Sequence, residues 1–289
     1  MARGLDHIVH AVRDLDVAAG AYDRLGFTVG VRNRHPCGTH NRLVQLSGFF
    51  IELLTLAEPD KLGSDGFSQN FGRYNQNFLA RHEGLSLVIL ETRDAVSTAA
   101  EFAAAGILAS DVVRLAREGR RPDGSAVQVA FSLAFARDAA APGLMFAACQ
   151  HHFPENFWNP AFQAHANKAC GIGGAVMVAD NPADHHIFLS AFVGERDLAA
   201  TSSGIVVSTP RGDIAVMAAD AFAQHYGVAA PDVSEGPRLA AMRIEVADMA
   251  ATVRHLQASG VRAEMRMGRI VVPPSAAMGA TLVFEPAIH

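Results

Sequence analysis

The sequence is poor in cysteine, and the three it has are badly placed for pairing. Cys37, Cys149 and Cys170 are far apart in a chain of 289 residues and form no C-x-x-C pair. Neither a disulfide framework nor a zinc knuckle is indicated. Long apolar runs are also missing. Residues 49–54 make one of the longest, which suits a strand but cannot cross a bilayer, so no membrane partner is expected. The first seven residues hold no apolar stretch of the kind a secretory signal needs, and the expectation is a cytoplasmic protein. No dense Lys/Arg run occurs, residues 117–121 coming nearest, and the formal net charge is −5. A nucleic acid needs a basic face to neutralise its phosphates, so no nucleic-acid partner is expected. The motifs G-x-S-x-G and H-E-x-x-H are absent, which argues against hydrolases and zinc proteases. Gly171-Ile172-Gly173-Gly174 precedes a strand-like run instead of following one, so it is no dinucleotide fingerprint and no nucleotide cofactor is expected.

What the sequence does contain is apolar material, half of its residues, and a repeat. Residues 7–12 read as a strand, Asp14 opens an Ala-rich segment, and Gly26 closes it. The pattern returns at residues 85–90 with Asp94 and Gly106, at 174–178 with Asp180 and Gly194, and at 242–246 with Asp248 and Gly260. Each Asp suits a helix N-cap, because its carboxylate accepts from the orphan N–H groups of the first turn. Each Gly suits the left-handed position just past the helix end. The interval leaves room for roughly three turns of helix.

Short β-like runs follow each helix. They are 27–31, 43–46 and 49–54 in the first copy, 126–134 and 144–149 in the second, 205–208 and 214–217 in the third, and 262–266, 269–272 and 281–284 in the fourth. Each copy therefore reads β-α-β-β-β, which argues against a doubly wound sheet where helices and strands alternate singly. One face of such a unit is covered by its helix and the other is bare, so two units facing each other enclose a cavity. The expected fold is α+β: four βαβββ units paired into an N-terminal domain (1–152) and a C-terminal domain (171–289). Residues 153–170 join them, with Pro154 and Pro160 discouraging regular structure and Phe157, Trp158 and Phe162 favouring packing.

Residues 6–15, Asp-His-Ile-Val-His-Ala-Val-Arg-Asp-Leu, resemble the opening strand of vicinal-oxygen-chelate proteins, the glyoxalase/bleomycin-resistance class. His7 falls where the metal-binding members place a histidine ligand. Residues 50–54, Phe-Ile-Glu-Leu-Leu, resemble the last strand of a unit, with Glu52 where they place a glutamate ligand. The segments 38–42, 121–124, 149–151 and 165–167 are similar to motifs of bacterial glyoxalase-like domain proteins of uncharacterised function. The position matching His7 falls at Leu87, Gly173 and Ala241 in the other three units, and Glu285 keeps the terminal-strand glutamate without a histidine. The C-terminal domain is accordingly expected to be a degenerate, structural copy.

Period-two alternation puts His7 on one face with Leu5 and Val9. Taken alone it could be a core histidine. Glu52 sits among Phe49, Phe50, Ile51, Leu53 and Leu54, where an unpaired carboxylate would cost several kcal/mol, so it needs a partner, a proton or a metal. First and last strands of a unit are neighbours in this fold, so His7 and Glu52 can converge, and His151 can join them across the cavity. These three are the expected catalytic residues and the expected metal ligands, for a divalent ion such as Fe, Mn, Zn, Ni or Mg. Without metal, Glu52 or His151 would be the general base, with His7 holding charge. Thr39, Asn41, Arg121, Gln150, His165 and Asn167 are the expected substrate-binding residues, Arg121 as an anion anchor. Asp123 is explained by its turn, His10 by the helix side of its strand, and His185-His186 by a helix face.

The resemblance implies a lyase, isomerase or oxygenase acting on a small oxygenated molecule in the N-terminal cavity. A drug-sequestering protein with the same cavity and no chemistry is the alternative. A small-molecule ligand is the expected partner, and a homodimer through a sheet edge is compatible with the pattern.

Overall fold

The computed structural model describes residues 2–120 and 125–287. The first unit gives β1 (Leu5–Ala11), α1 (Leu15–Arg24), β2 (Asn33–Arg34), β3 (Thr39–Leu46) and β4 (Phe49–Leu56). An extra helix, α2 (Arg73–Arg81), leads into β5 (Gly84–Glu91), α3 (Ala95–Ala104), β6 (Val113–Arg120), β7 (Ala126–Ala136) and β8 (Met145–His151). The connector carries one helical turn, α4 (Pro154–Phe157). The third unit is β9 (Ala169–Val178), α5 (His186–Val193), β10 (Leu198–Thr201), β11 (Gly204–Ser208) and β12 (Asp213–Met217), followed by α6 (Ala219–Tyr226). The fourth is β13 (Arg238–Val246), α7 (Met249–Ala258), β14 (Glu264–Arg266), β15 (Arg269–Val272) and β16 (Thr281–Pro286).

The expected α+β fold of four paired βαβββ units is what forms. There are two eight-stranded sheets, ordered β2-β3-β4-β1-β5-β8-β7-β6 and β10-β11-β12-β9-β13-β16-β15-β14. In each, two units meet through antiparallel pairing of their first strands, β1 with β5 and β9 with β13, while first and last strands within a unit run parallel.

The punctuation holds with one correction. Asp14, Asp94 and Asp248 cap α1, α3 and α7 by accepting from first-turn amides. In the third unit the capping side chain belongs to Asn181 rather than Asp180. Gly26, Gly106, Gly194 and Gly260 all take positive φ, as a helix terminator must. Residues 27–31 were expected as a strand but form none; they are tied to β3 by the bond from Gly30 N to the Leu43 carbonyl.

The four unit helices α1, α3, α5 and α7 share one core between the sheets, while α6 packs on the other face of the second sheet. Leu5, Ile8, Phe27, Phe102 and Phe146 from the first half join Phe188, Phe192, Leu256 and Phe284 from the second in a single buried cluster. Phe102 meets Phe192 and Phe146 meets Phe188, so α5 packs on the first half's helix layer. The other face of the first sheet has a separate cluster, with Val9, Leu87, Ile89 and Phe135, covered by Phe67 and Phe71 ahead of α2. The cavity lies on that face.

Candidate functional site

A bulge creates the site. Between Leu5, opposite Leu90, and His7, opposite Ile89, the β1–β5 register slips by one residue. An inserted residue breaks alternation. Leu5 and Ile8 stay in the helix-side core, while Asp6 turns to its neighbour, its Oδ1 lying 2.5 Å from His7 Nδ1. The expected alternation of His7 with Leu5 is thereby corrected.

His7 stacks on Phe50 with ring centroids 4.2 Å apart, and its free Nε2 lies 3.9 Å from Glu52 Oε2. Parallel pairing of β1 with β4 sets Glu52 beside Val9, on the cavity face. Asn41 Nδ2 donates to Glu52 Oε1 at 2.5 Å, which leaves Oε2 as the free oxygen. The same amide lies 3.3 Å from His35 Nε2, while His35 Nδ1 reaches Thr39 Oγ1 at 2.9 Å. Burial pushes the His35 imidazole below its ordinary pKa despite the nearby Glu52 charge. His35 is therefore a neutral ring that donates at Nδ1 and accepts from Asn41 at Nε2.

Asp6 faces a second imidazole, with His151 Nε2 at 3.0 Å from Oδ2. Burial alone would raise the Asp6 pKa, but His151 and His7 outweigh it and hold the carboxyl well below the usual range. Asp6 is thus a permanent negative charge behind His7, accepting from both rings. The far nitrogen of His151, Nδ1, is buried without a hydrogen bond, and its ring lies among Phe131, Phe157 and Trp158.

The space in front of Glu52 is about 60 Å³, with His7, His35, Asn41, Glu52, Arg117 and Cys149 among its lining and Phe50, Phe67, Phe71, Phe131 and Phe157 supplying apolar walls. Burial lowers the Arg117 guanidinium pKa, and Glu52 opposes that. Burial, then the Asp6 and Glu52 charges, push the Cys149 thiol up.

Of the expected residues, the structure brings His7, Glu52 and Asn41 together on the cavity wall. Thr39 stands behind His35, and His151 stands behind His7 by way of Asp6. Gln150 caps α3, accepting from Ala95 N at 3.1 Å. His165 accepts from Thr28 N and donates to the Gln45 carbonyl. Asn167 bonds Leu25 O and Ala169 N. The side-chain bonds of these last three hold the scaffold, and none of the three lines the cavity. Arg121 and Asp123 lie outside the described residues. Asp6, His35 and Arg117 escaped the sequence reading. Only a bulge puts Asp6 beside His7, and Arg117 reads as one more charge in a basic stretch.

The metal set also changes. His151 turns to Asp6, so His7, Glu52 and His151 do not gather around one point. Among the described residues, Asp6, Cys149 and His151 each bring a ligand atom within 4.8 Å of the others and could hold a metal ion. Carboxylate, thiol and imidazole suit zinc, and an ion there would take the His151 Nε2 that now bonds Asp6.

A sequence profile described as a glyoxalase-like domain matches residues 5–193. No curated protein matches. Solved structures share the fold over nearly the whole chain, among them the following three. A hypothetical protein from Staphylococcus aureus is 14% identical, with a TM-score of 0.67, covering 99% of this chain and 100% of its own. A variant of 4-hydroxymandelate synthase from Streptomyces coelicolor is 13% identical at TM-score 0.58, covering 100% of this chain and 94% of its own. The 2,2',3-trihydroxybiphenyl 1,2-dioxygenase of Sphingomonas wittichii is 14% identical at 0.54, covering 99% and 91%.

Proposed function

Since the chain belongs to the glyoxalase-like domain family, within the vicinal-oxygen-chelate superfamily, we propose that it is an enzyme moving a proton at a carbon beside a carbonyl group, as an isomerase or lyase does. The observation that carries this reading is the Glu52–His7 pair, a free carboxylate oxygen facing a free imidazole nitrogen at 3.9 Å in a small apolar cavity. Structural relatives that include a synthase and a dioxygenase support an enzyme over a pure binding protein.

The division of labour follows from the bonds. Asn41 holds one Glu52 oxygen, so the other takes the proton from carbon. Negative charge then grows on the substrate oxygen. For this His7 would act as its imidazolium, giving Nδ1–H to Asp6 and directing Nε2–H at the oxygen. Asp6 stays ionised and stabilises the imidazolium, while His151 keeps Asp6 in place. The phenylalanine walls exclude water, which strengthens each of these interactions. A divalent ion held by Asp6, Cys149 and His151 would replace the His151–Asp6 hydrogen bond and supply Lewis acidity beside the cavity wall.

The test is deuterium exchange from D2O into a panel of small carbonyl compounds, followed by NMR. Wild type should exchange at least one compound, and Glu52→Gln should lose about a hundred- to ten-thousandfold in rate. A compound that raises the melting temperature without exchanging in wild type would point to the sequestering alternative. Equal exchange by Glu52→Gln and wild type would refute the assignment of the base.

A further inference from the structure

The cavity has a second chamber. A cleft of about 520 Å³ adjoins it, bordered by the connector residues Trp158 and Phe162. Leu43, Arg117 and Phe157 line both spaces, so they form the neck between them. Arg117 stands on β6, whose alternation sends Leu115 and Arg117 to the cavity side.

Arg117 differs from the other half-buried or buried arginines. Arg3, Arg42, Arg211, Arg243 and Arg269 each bond a carbonyl or a carboxylate. Arg117 lies partly out of water, yet among the described residues no hydrogen bond or ion pair holds its guanidinium. Its nitrogens are not among the fully buried unpartnered atoms and still reach the open neck, so the fork is free to meet a ligand, and a guanidinium matches a carboxylate in two parallel bonds.

Resting on the proton-transfer reading above, we propose that Arg117 is the specificity determinant of this site and takes a carboxylate carried by the substrate. The substrate then has three parts. A small carbonyl head fills the inner chamber at Glu52 and His7, the carboxylate sits in the neck, and an apolar tail extends into the cleft toward Trp158 and Phe162. The inner space admits only a few heavy atoms, so the carboxylate stands within a few bonds of the reacting carbon. Glu155 borders the cleft, which makes the outer chamber less suited to the anion itself. One guanidinium beside the Glu52 charge suits a single negative charge better than a phosphate dianion.

The experiment uses the full chain and calorimetric titration with phenylacetate, 3-phenylpropanoate and 4-phenylbutanoate, each against its primary amide. In wild type at least one acid should bind about ten- to a hundredfold tighter than its amide, the range of a charge-assisted hydrogen bond. Arg117→Gln should abolish the preference, Arg117→Lys should keep part of it, and Glu52→Gln should keep or strengthen it. Equal binding of acids and amides by wild type, a preference surviving in Arg117→Gln, or no binding by any acid overturns the proposal. Acid preference without deuterium exchange would leave the neck standing and sink the proton-transfer reading. Exchange on neutral carbonyl compounds without acid preference would do the reverse.

Discussion

Replacing Asp6 with Asn removes one buried negative charge from between two imidazoles, and the consequences for stability and for rate should differ sharply. Asp6 accepts from His7 at 2.5 Å and from His151 at 3.0 Å. Hydrogen bonds to a charged group contribute about 1.5–3 kcal/mol each, so the gross loss is about 3–6 kcal/mol. Keeping a carboxylate out of water costs several kcal/mol, and the amide escapes that penalty. The net loss should therefore be on the order of 2 kcal/mol at neutral pH. Its pH dependence has a fixed sign. The folded Asp6 pKa lies below the ordinary 3.8, so its stabilisation is present above that value and is lost as pH falls through the folded one. The gap between wild type and Asp6→Asn should accordingly close in acid. The rate behaves otherwise. An amide cannot stabilise the His7 imidazolium, and its NH2 must oppose one of the two rings, so deuterium exchange should fall about a hundred- to ten-thousandfold. Urea unfolding and the NMR exchange assay, run on the same preparations, measure both. Exchange by Asp6→Asn at the wild-type rate would remove the His7–Asp6 pair from the mechanism.

His10 supplies a second acid-sensitive group. Burial pushes its pKa down to about 4 from the ordinary 6.5, while Tyr22 Oη and the Met278 carbonyl occupy its two nitrogens. A buried base of lowered pKa gives stability that is complete above about pH 6.5 and is lost as pH falls toward 4, on the order of 3 kcal/mol in all. His10→Gln keeps a donor and an acceptor without titrating, so its unfolding free energy should change less than that of wild type over this window. Parallel slopes for the two proteins would refute the assignment. For the metal, zinc titration of the full chain should load about one ion, and Cys149→Ser should weaken it at least tenfold. Unchanged affinity in that variant would show that any zinc sits elsewhere.

The fold was readable because its punctuation is local. An Asp or Asn before a helix and a Gly after it act within one turn, and the four copies reinforce one another. The helix α2, of sequence RYNQNFLAR, was not readable: it buries only Asn75 and Phe78 and looks like polar loop. Strand β6 was missed for a related reason, since Val113, Leu115 and Arg117 alternate correctly but are interleaved with Arg114 and Glu118. At the site, His7 and Glu52 could be named from their likeness to the family's strands, whereas Thr39 and Asn41 read as loop residues and stand instead on β3. Asp6 could not be named, because a bulge overrides the strand period. His165 and Asn167 drew attention as polar residues in the connector, and the backbone bonds that make them useful there are long-range contacts that no local pattern reveals.

Register also explains why only one of four units carries this pair. Val9 stands opposite Glu52 in the first unit, and the matching pairs are Ile89 with Ala147, Val176 with Ala215 and Arg243 with Val283. By the same step the His7 place falls at Leu87, Gly174 and Ala241. This moves the third-unit position one residue from Gly173, as its Asn181 cap requires. Glu285 therefore does not hold the place of Glu52; it lies two residues further on, opposite Glu245. In the second sheet the corresponding space holds charge rather than a phenylalanine-lined chamber. Arg243 pairs with Asp213 at 2.5 Å and approaches Glu285, which Arg269 also bonds. The glycine run lies under these ion pairs. A Cβ on Gly174 would stand 2.5 Å from both Arg243 Nη2 and Asp213 Oδ1, and one on Gly173 would run into Glu285. The glycines set aside as no nucleotide loop thus clear the sheet for a neutralised cluster whose carboxylates already have guanidinium partners. Glu52 has an amide and an imidazole around it and no guanidinium bonded to it, and that difference in pairing separates a carboxylate that can accept a proton from carbon from one fixed in a salt bridge.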